Sequence, residues 1–287
     1  MSNDFALEKR LYELDKNLHA RFADTVLSIQ HILSNYQLIF PDFTDHTELH
    51  TLNIIDFCNV LIGKQLDSLN ADEIYCILLG CYFHDSGMGV SEHDFEDFCN
   101  NIDFGDYFET HSRDNKPEII RSFHNEFSGQ FIRKYARFFD FPSDQHMFAI
   151  IEISRGHRKT NLFDREQYPL KLDLPNGNSI CLPYLTALVR LADEIDVTAS
   201  RNSSAIYDLS KITGEVDIIE FMKHEAVKGL EIENDQFVML VHTDDEEIFE
   251  RLSLVASKMQ KTLLLCKEAI KETPYVITQQ RVVVKRI

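Results

Sequence analysis

The 287-residue chain has no run of eighteen apolar residues, which excludes a membrane-spanning helix. Its opening stretch, Met1 to Arg10, lacks a basic segment followed by an apolar core, so no secretory leader is expected. The six cysteines (Cys58, Cys76, Cys81, Cys99, Cys181, Cys266) form no C-x-x-C pair, and most sit in apolar, helix-like surroundings. They are expected to be reduced core residues of a cytoplasmic protein. Positive charge is also short: 29 Lys and Arg stand against 47 Asp and Glu, a net charge of −18. Such a field repels polyanions, so long nucleic acid is disfavoured as a partner. A small anionic molecule stays open to it where a metal and a few arginines invert the potential locally.

What the chain has in quantity is helical periodicity. Apolar residues at three- and four-residue spacing predict helices over 4–34, about 45–64, from Asn70 into His84, from Pro117 to Tyr135, from Met147 to about Ile153, over 182–197 and over about 245–272. Thr44 or Asp45 is suited to cap the second of these, and residues 161–180 read as a loop with room for a small hairpin. Past Ser200 the pattern changes, with strand-like segments at Ile206–Leu209, Phe237–Val241 and Val282–Val284. The expected class is mainly α: an N-terminal helical extension over 1–43, a helical bundle over 44–200, and a small α+β appendage over 201–287. Within the bundle, residues 90–116 mix acidic and aromatic residues without long-range periodicity, and read equally as a functional lid or as an insertion without a role.

Polar residues interrupt the buried faces of these helices. The helix from Asn70 delivers His84-Asp85 and then meets Gly87 and Gly89, residues suited to leaving a helix through the left-handed region. His50, His124, His157 and Asp193 interrupt other apolar faces. From His50 to His84, His124, His157 and Asp193 the intervals are 34, 40, 33 and 36 residues. Each is about one helix plus its return, so an antiparallel bundle brings all of them to a shared level. A lone histidine on an apolar face is usually a satisfied core residue; a spaced set of histidines and aspartates reads as a metal site. A carboxylate such as Asp193, beside Leu188, Val189 and Ala192, needs a partner on burial, and a metal supplies one. His19, His31, His93 and His111 receive no role, and His46 is left between a helix-face residue and a substrate group.

Residues 44–197 resemble the HD-domain metal-dependent phosphohydrolases, defined by an H…HD…D pattern: His50, then His84-Asp85 followed by Ser86-Gly87-Met88-Gly89, then Leu191-Ala192-Asp193-Glu194-Ile195-Asp196. His124 and His157 resemble the extra histidines of two-metal members. Thr44-Asp45-His46…His50, the insertion and the strand-containing tail are most similar to the HD domains found with Hsp90-like ATPases in bacterial conflict systems. The resemblance implies an HD-domain bundle in which His50, His84, Asp85 and Asp193 bind one metal, while Asp85 bridges to a second held by His124 and His157. Mixed nitrogen and oxygen ligands suit Mn, Fe, Ni, Co or Zn. Such an ion lowers the pKa of bound water from about 15.7 toward neutrality and polarises a phosphoryl oxygen.

Asp85 is thus the central catalytic candidate, with Glu152 and Asp196 as candidates for orientation or proton transfer. Arg121, Arg155, Arg158, Lys159 and Arg190 flank the candidate ligands and are candidates for binding the anionic substrate. The expected activity is hydrolysis of a nucleotide or nucleotide-derived phosphoester or phosphoanhydride. The alternatives are a nucleotide-sensing module and a di-iron oxygenase with the same ligands. The partners expected are that small anion, a second copy of the chain or a partner ATPase.

Overall fold

The computed structural model describes residues 6–33, 48–197 and 225–287. Helices dominate: α1 (Ala6–Leu14), α2 (Lys16–Leu33), α3 (Glu48–Ile62), α4 (Ala71–Phe83), α5 (Glu92–Cys99), α6 (Tyr107–Thr110), α7 (Lys116–Tyr135), α8 (Asp144–Gly156), α9 (Leu182–Ile195) and α10 (Glu246–Ala269). A two-stranded ribbon, β1 (Leu172–Asp173) with β2 (Ser179–Ile180), precedes α9. A three-stranded sheet, β3 (Val227–Glu233), β4 (Gln236–Val241) and β5 (Arg281–Arg286), surrounds α10 in sequence. The fold is mainly α with a small α+β part, as the periodicity predicts.

Local chemistry sets the helix ends. The continuous helix expected over 4–34 is broken at Asp15, whose carboxylate accepts from the backbone N–H groups of Asn17 and Leu18 and so starts α2 afresh. Asn70 and Glu73 form a reciprocal capping box at the start of α4. Ser143 and Asp245 cap α8 and α10 through their side chains. The caps proposed at Thr44 and Asp45, His46, and the strand proposed at Ile206–Leu209 lie outside the described residues.

Helix α4 is the axis of the bundle. Every residue from Asp72 to Phe83 is buried, and α1, α2, α3, α8 and α9 all pack on it. An all-round apolar helix of this kind belongs in an interior. It explains why Ile74, Cys76, Ile77, Leu79 and Cys81 all have no exposure. Asp72 and Glu73, the acids of its first turn, are buried as well. Asp72 bonds His146, Asn176 and Asn178, and Glu73 accepts from the Cys181 backbone and the Tyr275 hydroxyl.

The segment 90–116 forms α5 and α6. Phe95 stacks on Phe127 of α7, while Phe104 and Tyr107 pack edge-on against Phe123. His111 lies flat on Tyr107 at 4.1 Å and is exposed. In the tail, β3 and β4 pair antiparallel through a tight turn at Asn234-Asp235, both with positive φ, and β5 adds parallel to β4 after the α10 crossover. Strand β3 is an addition to the sequence reading: its apolar alternation is interrupted at Lys228-Gly229, where the register with β4 shifts, and resumes only over Leu230–Glu233. Helix α10 packs against α9 through one continuous apolar core that includes Leu252, Met259, Leu263 and Cys266.

Candidate metal centre

Four helix positions converge at the end of α4. His50 lies in the first turn of α3, His84 and Asp85 follow the last turn of α4, His124 lies within α7, and His157 follows α8. All five side chains are buried. Asp193, in the last turn of α9, is partly exposed.

Three of the histidines are held in the same way. The Nδ1–H of His84 donates to the carbonyl of Cys81 at 2.6 Å, that of His124 to Arg121 at 2.9 Å, and that of His157 to Ser154 at 2.5 Å. Each acceptor is three residues earlier, where the helical ladder gives out. Cys81 and Ser154 are in the closing turns of α4 and α8, whose last carbonyls have no intrahelical donor. Arg121 precedes a kink at Phe123 (φ −127°, ψ 18°) inside α7. His50 instead donates Nδ1–H to the Asp196 carboxylate at 2.6 Å, and Asp196 also accepts from Asn53 at 3.4 Å. Carbonyls and carboxylates only accept, so all four rings carry their proton on Nδ1 and turn the Nε2 lone pair inward.

Those lone pairs face each other. His124 Nε2 is 2.9 Å from His157 Nε2, and His84 Nε2 is 3.3 Å from His50 Nε2. Two acceptors at such distances need a cation between them. Asp85 lies between the pairs. Its Oδ2 is 3.2 Å from His84 Nε2 and 3.6 Å from His50 Nε2, and its Oδ1 is 3.3 Å from His124 and 3.8 Å from His157. Asp193 Oδ1 is 3.4 Å from His50 Nε2. Ligand atoms bound at about 2.0–2.2 Å to one tetrahedral ion lie about 3.3–3.6 Å apart; the His50–His84, His50–Asp85, His50–Asp193 and His124–Asp85 spacings fall in that range, His124–His157 and His84–Asp85 are closer, and His157–Asp85 is wider. Two triads result, His50–His84–Asp85 and Asp85–His124–His157, and Asp85 belongs to both.

The electrostatics agree. Burial draws the His84 pKa down, but the Asp85 carboxylate beside it, with Asp193 and the Cys81 carbonyl, more than offsets this and pushes it up to about 9. Burial, then the fields of His124 and His84, drive His157 well below the ordinary histidine value. Asp193 is raised by burial, but the His50 ring facing it and the charges of His157 and His84 hold it well below the usual carboxylate range.

The family comparison decides the kinship. The HD-CE family model matches residues 40–272. The chain belongs to the HD-CE family. No curated protein and no solved structure matches it. The HD-type histidine and aspartate residues of this HD-CE chain form a buried group compatible with a divalent metal and with metal-dependent hydrolysis.

The remaining residues singled out in the sequence have other placements. Glu152 is buried, with its carboxylate taken by Arg155 and by Gln167 at 2.6 Å. Burial raises its pKa against the pull of Arg155 and Gln167. Arg155 in turn binds Glu126 and Glu152, so this pair braces α7 against α8. Asp196 stands behind His50 as its orienting carboxylate. Arg190 is buried and turned onto backbone carbonyls. Arg121 is exposed and paired with Glu118. Arg158 donates to the Arg121 carbonyl and lies 3.3 Å from His124 Nδ1, while Lys159 stands 6.0 Å from the Phe123 ring. These last three flank the His124–His157 side.

Sequence reasoning missed two supports. Asn53, one turn after His50, steadies Asp196. Ser128, one turn after His124, donates to the His84 carbonyl at 2.7 Å and accepts from the Gly87 N–H at 2.8 Å. Helical spacing from a ligand was the available signal for both. Gly87 also acts otherwise than expected. Neither it nor Gly89 has a positive φ; instead, a Cβ at Gly87 would collide with the backbone of His124 and Ser128. The glycine lets the His-Asp turn lie directly on α7.

Proposed function

We propose that this protein is a metal-dependent phosphohydrolase acting on a small nucleotide or nucleotide-derived phosphoester or phosphoanhydride. The observation that carries the reading is the convergence of four Nδ1-protonated histidines on the two oxygens of Asp85. His50, His84, Asp85 and Asp193 would hold one divalent ion, and Asp85, His124 and His157 a second. Such ions supply Lewis acidity and bring the pKa of water toward neutrality. The chain's own residues do the rest. The Cys81, Arg121 and Ser154 carbonyls and Asp196 fix the imidazoles, Asp193 is the most exposed of the group, and Arg121, Arg158 and Lys159 offer positive charge for phosphate oxygens in an otherwise acidic protein. The resemblance to HD domains that accompany Hsp90-like ATPases extends the proposal to such a partner in a bacterial conflict system.

Metal analysis followed by a phosphate-release screen over nucleotides, with wild type and Asp85→Ala, tests this. The expected result is bound transition metal and release that falls by more than the roughly 100-fold that losing an outer partner of a ligand costs. A metal-free protein together with an Asp85→Ala variant as active as wild type refutes it. Bound iron with an oxidised small-molecule product would point to oxygenase chemistry, and tight nucleotide binding without turnover to a sensor.

A further inference from the structure

Arg190 is buried on α9, one turn before Asp193. A buried guanidinium ordinarily has a carboxylate partner. Here, among the described residues, its hydrogen-bond acceptors are three backbone carbonyls and one hydroxyl. Nε donates to Gly156 O at 2.6 Å, and Nη2 donates to Arg158 O at 2.7 Å, Thr160 O at 2.9 Å and Thr160 Oγ1 at 2.9 Å. Residues 156, 158 and 160 bracket His157, so the chain leaving α8 curls around one side chain of α9.

Two physical reasons make this more than packing. The end of a helix leaves carbonyls without donors, and its dipole is negative there, so a cation is favoured. Only the planar, forked guanidinium can reach several carbonyls in fixed directions at once; an ammonium is a single point of charge. The α8 end also lies directly on α9, where a Cβ on Gly156 would run into the Thr186 side chain. The backbone on both sides of His157 is therefore referred to the helix that carries Asp193. The ring is then turned by Ser154, which places its Nε2 at 2.9 Å from His124.

We propose that Arg190 is a positioning residue for the His124–His157 half of the metal centre, and not a substrate contact. It holds His157 in register for the second ion. This rests on the two-ion reading given under Proposed function.

The test loads metal-free wild type, Arg190→Lys and Arg190→Met with Mn²⁺ alone, counts ions per chain, and records the electron paramagnetic resonance spectrum. Circular dichroism of the metal-free proteins checks the fold. Wild type is expected to hold two ions with the spectrum of a coupled pair. Both variants should keep the first ion but bind the second about 10–100-fold more weakly, giving the spectrum of isolated manganese. A merely structural role would weaken both ions alike. Variants that hold a coupled pair at wild-type affinity, or that lose both ions in equal measure, overturn the proposal. Should neither Arg190 variant fold, Thr160→Val removes the hydroxyl that accepts from both Arg190 and Tyr168, and Tyr168→Phe removes the second of these bonds alone: a selective few-fold weakening of the second ion in Thr160→Val beyond that in Tyr168→Phe supports the role, and affinity no weaker than in Tyr168→Phe overturns it. A wild type that holds fewer than two ions refutes the two-ion reading itself, and this role with it.

Discussion

Asp196 offers the sharpest test of how the centre is held. Its carboxylate is fully buried and receives the His50 Nδ1–H at 2.6 Å, with Asn53 as a further donor. A hydrogen bond to a charged acceptor contributes about 1.5–3 kcal/mol, and a neutral one about 0.5–1.5 kcal/mol. Asp196→Asn keeps the shape and an acceptor oxygen but removes the charge, so it should cost about 1–1.5 kcal/mol. That is roughly tenfold in affinity for the ion that His50 and His84 would hold, since about 1.36 kcal/mol is a factor of ten. Asp196→Ala removes the acceptor altogether and leaves a buried ring N–H without its charged partner; the loss should approach 100-fold. Isothermal titration of the metal-free proteins with Mn²⁺ measures both. Wild-type affinity in the alanine variant would refute the orienting role. Equal losses in the two variants would show that the charge accounts for the whole effect, whereas wild-type affinity in the asparagine variant would show that charge is not what the carboxylate contributes.

Two further predictions concern the frame. Gly87→Ala forces a Cβ against the backbone of His124 and Ser128 and should destabilise the protein by about 1–3 kcal/mol, as overpacking does; Gly105→Ala, in open space at φ +52°, serves as the contrasting site in the same denaturation series, and equal stability of Gly87→Ala and wild type would refute the close-approach argument. The Asp72 carboxyl is raised by burial, but the hydrogen bonds from His146, Asn178 and Asn176 outweigh this and set it below the usual aspartate value. Its stabilisation is therefore fully present above about pH 4 and lost as pH falls through the lowered folded value. Asp72→Ala should cost about 3 kcal/mol at neutral pH, with the gap to wild type closing in acid; a gap that widens below pH 4 in urea titrations would contradict the assignment.

The candidate set was legible because it breaks a strong pattern. His50, His84, His124, His157 and Asp193 are polar residues on apolar helix faces, at intervals of about a helix and its return. Their supports were not legible, because they rest on geometry that appears only on folding. The carbonyls of Cys81, Arg121 and Ser154 have no sequence signature, and the kink at Phe123 that frees one of them breaks no propensity rule. Arg155 and Arg190 sit near ligands in sequence, and sequence alone does not tell a phosphate-facing guanidinium from one that binds Glu126 or the 156–160 carbonyls. Asp72 shows the same limit in the fold. An acid in a first helical turn fits the helix dipole whether it faces solvent or, as here, a histidine 74 residues away.

The His50–Asp196 hydrogen bond joins residues 146 apart in the chain. Contacts of such sequence separation close large loops, and the entropy of closure delays them relative to local helix formation. Helices α4, α7 and α8 can form their own histidine-to-carbonyl bonds from neighbouring residues, but the complete cage exists only once α3 and α9 have docked. A metal ion would therefore bind tightly to the finished bundle and weakly to any fragment or partly folded chain. Its binding energy would act as a late reward in folding, pulling the population toward the native state in proportion to the free ion concentration.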